Sequence, residues 1–299
     1  MAHPSAQKRG SNTLSSYAEL LNEGGAALQV ASPSPRLDAA LLLAYAAGFT
    51  RVQLIVRSKD PAAADVVALY RALIARRSQS EPVAYITAEK EFWGLPFKVT
   101  PAVLIPRPET ELLVEQALEI IDERQDVSIL ELGTGSGCIP VALVRELTKQ
   151  KNSFVCTAVD SSAEALHVAE ENASRHKVTA KIKFVPSDWF SALAPDQLFD
   201  LIISNPPYIA DTDTNVSPET RFEPNQALYS GAEGLDAIKK ILLEAPLHLC
   251  PEGDVLIEIG SGQQQALEEF YQQNLVNTYR SITFLPDLAG RVRVLWVKR

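Results

Sequence analysis

The chain has 299 residues, of which 46% are hydrophobic and 22% charged, enough for one full α/β domain and a smaller second domain. Its net charge of −9 and pI near 5.1 disfavour a protein that binds a nucleic-acid backbone, because such binding depends on clustered lysine and arginine. No stretch approaches the roughly 18 apolar residues of a membrane span, and no signal-peptide core is visible. We therefore expect a cytoplasmic protein with a disordered polar tail over residues 1–11.

Residues 12–82 carry three helical patterns, which predict a small helical domain. The second helix is expected to begin with Ser34 as N-cap and Pro35 at its first position. Arg71, Arg76 and Arg77 of the third are expected to stay in solvent. The apolar stripes are Leu14, Tyr17 and Leu21 in the first helix, Leu37, Leu41 and Tyr45 in the second, and Val66, Leu69, Tyr70, Leu73 and Ile74 in the third.

Residues 83–110 change to short alternating runs around Gly94-Leu95-Pro96. This pattern predicts a β-hairpin linker between two domains. The alternation that follows over residues 111–299 is regular, with strands near 127–133, 154–160, 181–186, 199–204 and 254–260 separated by helical patterns. It predicts an α/β fold with a doubly wound sheet. Two further strands, 281–287 and 291–298, are joined so tightly that they must be antiparallel.

The first of these strands runs into a glycine-rich loop, Gly133-Thr134-Gly135-Ser136-Gly137, followed by a predicted helix. Glycines let the backbone approach a ligand closely, and the helix N-terminus offers unpaired N–H groups. The third glycine of the dinucleotide pattern would fall at Cys138, which weakens an NAD interpretation, and no Gly-Lys-Ser/Thr follows to make a P-loop. Asp160 ends the second strand, where ribose hydroxyls are held.

The most informative segment is Asn205-Pro206-Pro207-Tyr208, at the carboxyl end of a buried strand. Each proline fixes its own φ and restricts the residue before it. The loop therefore presents two acceptors, the Asn205 side-chain oxygen and the Pro206 carbonyl, with the Tyr208 ring as a wall. This arrangement suits a planar –NH2 group held by its two hydrogens. A rigid turn with a polar asparagine is the plainer alternative.

Taken together, these motifs resemble the protein-glutamine N5-methyltransferases of the HemK/PrmC family. The resemblance covers nearly the whole chain, but it departs from the family pattern at residues 230–235. The Asn-Pro-Pro-Tyr segment alone is shared with DNA adenine methyltransferases. The other matching segments are Glu131-Leu132 before the glycine loop, Pro-Arg-Leu-Asp-Ala (35–39), Glu-Phe-Trp-Gly (91–94), Ile-Pro-Arg-Pro-Glu-Thr (105–110), Ser-Asp-Trp-Phe (187–190) and Arg-Phe-Glu-Pro (221–224).

The resemblance implies an S-adenosylmethionine-dependent enzyme of translation termination. Its substrate would be the glutamine of the Gly-Gly-Gln motif in class I peptide chain release factors, recruited with help from the helical domain. No nucleic-acid substrate or membrane is expected. The alternatives are a DNA adenine-N6 methyltransferase acting on a flipped base and a non-catalytic module on the same fold.

The resemblance also implies roles for individual residues. Asn205, Pro206 and Tyr208 are the expected catalytic residues, and with Pro207 they are expected to bind the substrate amide. Glu131 is expected to orient the methionine amino group of the cofactor. Phe92, Arg107 and Thr110 are expected near the site, with an N-cap as an equal alternative for Thr110. The expected cofactor-binding residues are Gly133, Thr134, Gly135, Ser136, Gly137, Asp160, Asp188, Trp189 and Asn205.

Three cysteines and four histidines complete the set of reactive side chains. Cys138, Cys156 and Cys250 are odd in number and lack metal-type spacing, so we expect reduced thiols in the core. The histidines form no ligand or triad pattern. Neither a metal site nor covalent catalysis is predicted.

Overall fold

The structure is a computed structural model that describes residues 15–122, 124–150 and 153–299. The tail predicted over residues 1–11 and the predicted core residue Leu14 lie outside these ranges. The chain divides into two compact units, Met1–Thr87 and Ala88–Arg299. The described part of the first unit is helical, with α1 (Tyr17–Ala27), α2 (Pro35–Ala47), α3 (Arg51–Val56), α4 (Ala64–Arg77) and α5 (Val83–Thr87).

The face of α2 that enters the core differs from the predicted one. Leu37 and Tyr45 are 41% and 50% exposed, whereas Ala39, Leu42 and Leu43 are fully buried. The helix is apolar on nearly every side, so its periodicity does not specify which face is covered. The neighbouring helices decide the face, and the prediction from the stripe was wrong. The predicted Pro35 start of α2 is confirmed, although the Ser34 side chain caps no helix N–H.

Arg77, predicted to lie in solvent, is instead buried with 2% of its surface exposed. Its Nε donates to Asp38 Oδ2 at 2.7 Å, and the same carboxylate oxygen accepts from the Ser32 hydroxyl at 2.6 Å. A charge can be buried in this way only when it is paired and hydrogen-bonded. Arg71 and Arg76 are exposed, as expected, and pair with surface carboxylates.

The segment predicted as a hairpin linker is a hairpin only in its middle part. Val83–Thr87 forms the short helix α5, and the hairpin consists of β1 (Glu89–Phe92) and β2 (Leu95–Lys98). Trp93 and Gly94 both have positive φ, at 55° and 68°, as a two-residue hairpin turn requires. The backbone twist of this turn matches that of the flanking strands.

The second unit contains a seven-stranded sheet, and the predicted doubly wound fold is confirmed. Its strand order is β5-β4-β3-β6-β7-β9-β8, with β9 antiparallel to both of its neighbours and the other pairs parallel. The elements in chain order are α6 (Glu111–Asp122), β3 (Val127–Leu132), α7 (Cys138–Gln150), β4 (Phe154–Asp160), α8 (Ala163–Arg175), β5 (Ile182–Pro186), β6 (Phe199–Ser204), α9 (Asp236–Glu244), β7 (Leu249–Glu258), α10 (Gln264–Asn274), β8 (Ser281–Pro286) and β9 (Val292–Lys298).

Two apolar cores cover the two faces of this sheet. Alternate residues of a strand belong to different cores, so Ile129 packs with α6 and α7 while Leu130 packs with α9 and α10. Strand register then aligns the carboxyl ends, because Leu132 pairs with Ser204 on one side and with Val159 on the other. The glycine loop and the residues after β4 and β6 therefore emerge next to one another.

Candidate active site

A cleft of about 240 Å³ opens at this carboxyl edge of the sheet. The described residues lining it include twelve predicted ones: Thr110, Glu131, Gly133, Thr134, Gly135, Ser136, Asp160, Asp188, Trp189, Asn205, Pro206 and Pro207. Gly137 and Tyr208 are not among the lining residues. The cleft is formed where the four neighbouring parallel strands β5, β4, β3 and β6 end, which is where ligands bind in open α/β sheets.

The three glycines of the loop have left-handed backbone conformations, but they do different work. Gly135 lines the cleft with φ of +54°, and an added Cβ there would have no other atom within 4 Å. An added Cβ at Gly137 would lie 3.0 Å from Ala169 Cβ and 3.1 Å from Ala169 Cα in α8. Gly137 therefore permits close helix packing, and Gly135 leaves room for a ligand.

Asp160 holds the loop as well as facing the cleft. Its Oδ2 accepts the Gly135 N–H at 2.8 Å, and its Oδ1 accepts the Ser162 N–H at 2.9 Å. Burial raises the pKa of this carboxyl group, and the effect of burial is larger than that of the backbone hydrogen bonds, which lower the pKa. Asp160 thus connects the loop after β3 with the start of α8.

Glu131 is a buried carboxyl group in the wall of the cleft, and it accepts a short hydrogen bond from the Thr134 hydroxyl. Burial raises its pKa to about 8, while the Thr134 hydrogen bond opposes that change and the charge of Asp160 adds to it. Within the described residues, Ser136 Oγ and Asn205 Oδ1 are the buried side-chain atoms without a hydrogen-bond partner. Buried polar atoms are nearly always paired, so both indicate a ligand.

The amide of Asn205 has a defined orientation. Its Nδ2 donates to Thr110 Oγ1 at 3.1 Å, which leaves Oδ1 as the unpartnered acceptor in the cleft. Thr110 lies in a 3-10 turn before α6, and its hydroxyl donates to Glu258 Oε2 at 2.6 Å rather than capping the helix. Pro206 follows as a buried residue of the lining.

Glu258 is a site residue that the sequence analysis missed. It ends strand β7 and is 1% exposed, and its Oε1 accepts the Tyr208 hydroxyl at 3.1 Å. Tyr208 therefore turns its hydroxyl to Glu258 instead of forming a wall of the cleft. Glu258 could have been recognised in the sequence as an acidic residue at the end of an apolar strand.

A second missed feature is the long loop after Tyr208. Glu223 accepts the Ile105 N–H at 3.0 Å and forms a 2.5 Å ion pair with Arg107, which joins two segments whose neighbours Pro106 and Pro224 line the cleft. In the segment that departs from the family pattern, a Cβ at Gly234 would lie 2.2 Å from the Tyr208 carbonyl oxygen. That glycine packs against the backbone of the Asn-Pro-Pro-Tyr loop.

The remaining predicted residues differ in their exposure to solvent and in whether they line the cleft. Asp188 is 68% exposed along its side chain, and Lys240 lies 3.5 Å from it. Trp189 is partly buried, and its Cζ3 would lie 3.9 Å from a Cβ at Gly133. Phe92 is buried in the apolar core rather than in the lining of the cleft.

Three negative findings hold for the part of the chain that the structure describes. No group of three or more histidine, cysteine or acidic side chains is placed to hold a metal ion. No helix there is long and apolar enough to cross a membrane. Cys138, Cys156 and Cys250 are free, the first two buried and the third partly exposed.

The fold resembles that of solved methyltransferases with low sequence identity to this chain. The hMettl16 catalytic domain in complex with the MAT2A 3′UTR hairpin 6 aligns with a TM-score of 0.54 at 16% identity, covering 74% of this chain and 80% of that one. The T. thermophilus 16S rRNA N2 G1207 methyltransferase RsmC in complex with AdoMet and guanosine aligns with a TM-score of 0.50 at 17% identity, covering 71% and 49%. Residues 108–231 match the methyltransferase small domain. The domain match therefore identifies a methyltransferase domain in the second unit.

The family follows from closer relatives. Residues 19–87 match the PrmC N-terminal domain. The release factor glutamine methyltransferase of Koribacter versatilis is 40% identical over 88% of this chain and 91% of its own, and that of Coxiella burnetii is 38% identical over 91% and 95%. The chain belongs to the release factor glutamine methyltransferase family. These comparisons give no support to the DNA adenine alternative.

Proposed function

We propose that this enzyme transfers a methyl group from S-adenosylmethionine to the side-chain amide nitrogen of the glutamine in the Gly-Gly-Gln motif of class I release factors. The observation that carries the proposal is the unpartnered, buried Asn205 Oδ1 in the cleft. An acceptor held without a partner costs free energy, and the N–H of a substrate amide would satisfy it.

The residues of the cleft suit the proposed cofactor. Gly135 leaves space beside the loop, Asp160 faces the cleft as an acceptor for ribose hydroxyls, and the Ser136 hydroxyl has no protein partner. Glu131 offers a buried carboxyl group for a cationic amino group, and Trp189 offers an apolar surface. When bound, S-adenosylmethionine supplies a methyl group activated by its sulfonium charge.

The chain's own contribution to catalysis is positioning. The nitrogen of an amide is a poor nucleophile, because its lone pair is delocalised into the carbonyl. Asn205 Oδ1 and the Pro206 carbonyl would accept the two amide hydrogens and direct the nitrogen toward the methyl group. Holding the reactants in this geometry can lower the activation free energy by on the order of 7–11 kcal/mol. These hydrogens become more acidic as nitrogen gains positive charge, so both acceptors stabilise the transition state more than the ground state. The proton is then released to water.

The proposed substrate is an intact protein rather than a nucleic acid or a short peptide. The N-terminal unit exposes apolar side chains on α3, with Val52, Ile55 and Val56 each 70–80% exposed. Such side chains suit contact with a protein surface. An intact factor would also lose less conformational entropy on binding than a flexible peptide does. Release factors act in the cytoplasm, and we assign the enzyme to that compartment on this ground.

The test is a methyl-transfer assay with labelled S-adenosylmethionine and three separate acceptors. These are an intact class I release factor, the same factor with its Gly-Gly-Gln glutamine changed to alanine, and duplex DNA. We expect label on the intact factor alone. Label on the alanine-substituted factor would show that the methylated residue lies elsewhere in the release factor. Label on DNA alone would replace the proposal with the adenine alternative.

A further inference from the structure

A chain of hydrogen bonds leads from the sheet to the Asn205 amide. Glu258 Oε2 accepts from the Thr110 hydroxyl at 2.6 Å, and Thr110 Oγ1 accepts from Asn205 Nδ2 at 3.1 Å. The three residues come from β7, from the turn before α6 and from the loop after β6. The oxygen and the –NH2 group of an asparagine are nearly equal in size, so shape alone does not decide which of them faces the cleft.

We propose that Glu258 and Thr110 are positioning residues that fix the orientation of the Asn205 amide, so that its oxygen and not its –NH2 group faces the cleft. This inference rests on the proposed function. An ionised carboxylate only accepts hydrogen bonds, so the single hydroxyl hydrogen of Thr110 is committed to Glu258. Thr110 Oγ1 is then left only with lone pairs toward Asn205. The –NH2 group must point to Thr110, and the oxygen must point into the cleft.

The second oxygen of Glu258 strengthens this arrangement. Its Oε1 accepts the Tyr208 hydroxyl at 3.1 Å, so both carboxylate oxygens are occupied by donors from segments that line or border the cleft. Glu258 is 1% exposed, and water competes little for these hydrogen bonds. A hydrogen bond to a charged group in such a setting is about twice as strong as a neutral one.

Protonation of Glu258 would remove the constraint. A neutral carboxylic acid can donate, Thr110 can then turn its hydrogen toward Asn205, and the amide can reverse. Burial raises the pKa of Glu258 to about 6, although the hydrogen bonds from Thr110 and Tyr208 lower that pKa. Arg293 lowers that pKa and Glu109 raises it, and among the described residues the Cys138 thiol and the Tyr208 hydroxyl also interact electrostatically with Glu258. The carboxylate form therefore dominates above pH 6, and methyl transfer should decline as the pH falls through that value.

Three variants of the full-length enzyme test the proposal in the assay with an intact release factor. Thr110→Val keeps the shape but removes the hydroxyl, Glu258→Gln removes the charge, and Thr110→Ser restores the hydroxyl. We expect kcat to fall at least about tenfold in the first two, with S-adenosylmethionine Kd within about twofold of the unmodified enzyme. Thr110→Ser should stay within about threefold in kcat. Thr157→Val is the matched control, because Thr157 is a threonine buried in β4 outside the lining.

A structural measurement keeps the inference separate from the proposed function. The side-chain amide signals of Asn205, assigned by their loss in Asn205→Asp, should shift with a midpoint near pH 6 in the unmodified enzyme and should not do so in Glu258→Gln. Full kcat in a folded Thr110→Val, an equal kcat loss in Thr157→Val, or a pH-independent Asn205 signal would each overturn the proposal. If the unmodified enzyme methylates no release factor, the proposed function fails, and the amide signals still decide the positioning role.

Discussion

Replacing each of two glycines in the same loop by alanine should produce different defects, mainly a loss of stability at Gly137 and a loss of cofactor binding at Gly135. Gly137 has φ of +76°, and its added Cβ would approach the backbone of α8 at Ala169 to 3.1 Å. The left-handed conformation costs alanine about 1–2 kcal/mol, and the overpacking costs about 1–3 kcal/mol more. Gly135 has φ of +54° and open space around the added Cβ, so only the backbone cost of about 1–2 kcal/mol applies.

These free energies convert into measurable shifts. In a unit of this size, each 1 kcal/mol lowers Tm by about 2–4 °C. We expect Gly137→Ala to lower the Tm of the ligand-free protein by about 10 °C and Gly135→Ala by about 5 °C. Gly135→Ala should instead weaken S-adenosylmethionine binding at least about tenfold, because its methyl group occupies the space left for the ligand.

Thermal unfolding without ligand and titration calorimetry measure the two effects separately. Gly290→Ala is the control for the backbone cost alone, since Gly290 has φ of +77° with no atom within 4 Å of its added Cβ. Equal Tm losses for Gly137→Ala and Gly290→Ala would refute the packing role of Gly137. Unchanged S-adenosylmethionine affinity in Gly135→Ala would refute the assignment of that space to the cofactor.

Asn205→Ala should abolish methyl transfer and leave S-adenosylmethionine Kd within about tenfold, because the side chain mainly orients the acceptor amide; an active variant in the methylation assay would contradict this. Asp160→Ala should weaken S-adenosylmethionine binding in calorimetry by at least about 1.5–3 kcal/mol, since the variant loses both the ribose acceptor and the hydrogen bond that holds the glycine loop. NAD should bind neither to the unmodified enzyme nor to this variant. Glu131 has a pKa raised to about 8, so the stability that its neutral form provides is fully present below its usual value near 4.5 and is lost as the pH rises through 8. The urea midpoint of the ligand-free protein should therefore fall between about pH 5 and about pH 8, and Glu131→Gln should show a smaller fall; equal slopes would argue against this burial effect. Asp38→Ala removes the ion pair that Asp38 makes with the buried Arg77 and should destabilise the N-terminal unit by about 3–5 kcal/mol in denaturant unfolding, whereas a loss below about 1 kcal/mol would mean that this ion pair contributes little.

The sequence alone determined where strands occur along the chain in the second unit and which loops follow them. Buried parallel strands are short apolar runs, and glycine and proline act on the backbone at their own positions, so these signals are local. The sequence also predicted Asp160 and Asn205 at one edge of the sheet, because parallel strands end at the same edge.

Tertiary structure alone decided which distant groups meet. Glu258 reaches Thr110 and Tyr208 only because β7 pairs with β6, and because Thr110 in the turn before α6 forms hydrogen bonds with residues at the ends of both strands. Nothing in the local sequence relates these positions. The orientation of the Asn205 amide, which decides whether the cleft offers an acceptor or a donor, depends on that meeting.

Because local sequence does not show which distant residues meet, two predictions for the first unit were wrong. An apolar helix such as α2 has no unique face until its neighbours cover one, and an arginine such as Arg77 enters a core only where a carboxylate such as Asp38 is already held in place. Burial is a property of the assembled unit, since it depends on residues that are far apart in the chain. Local pattern can specify where a helix begins, but packing decides which of its side chains are removed from water.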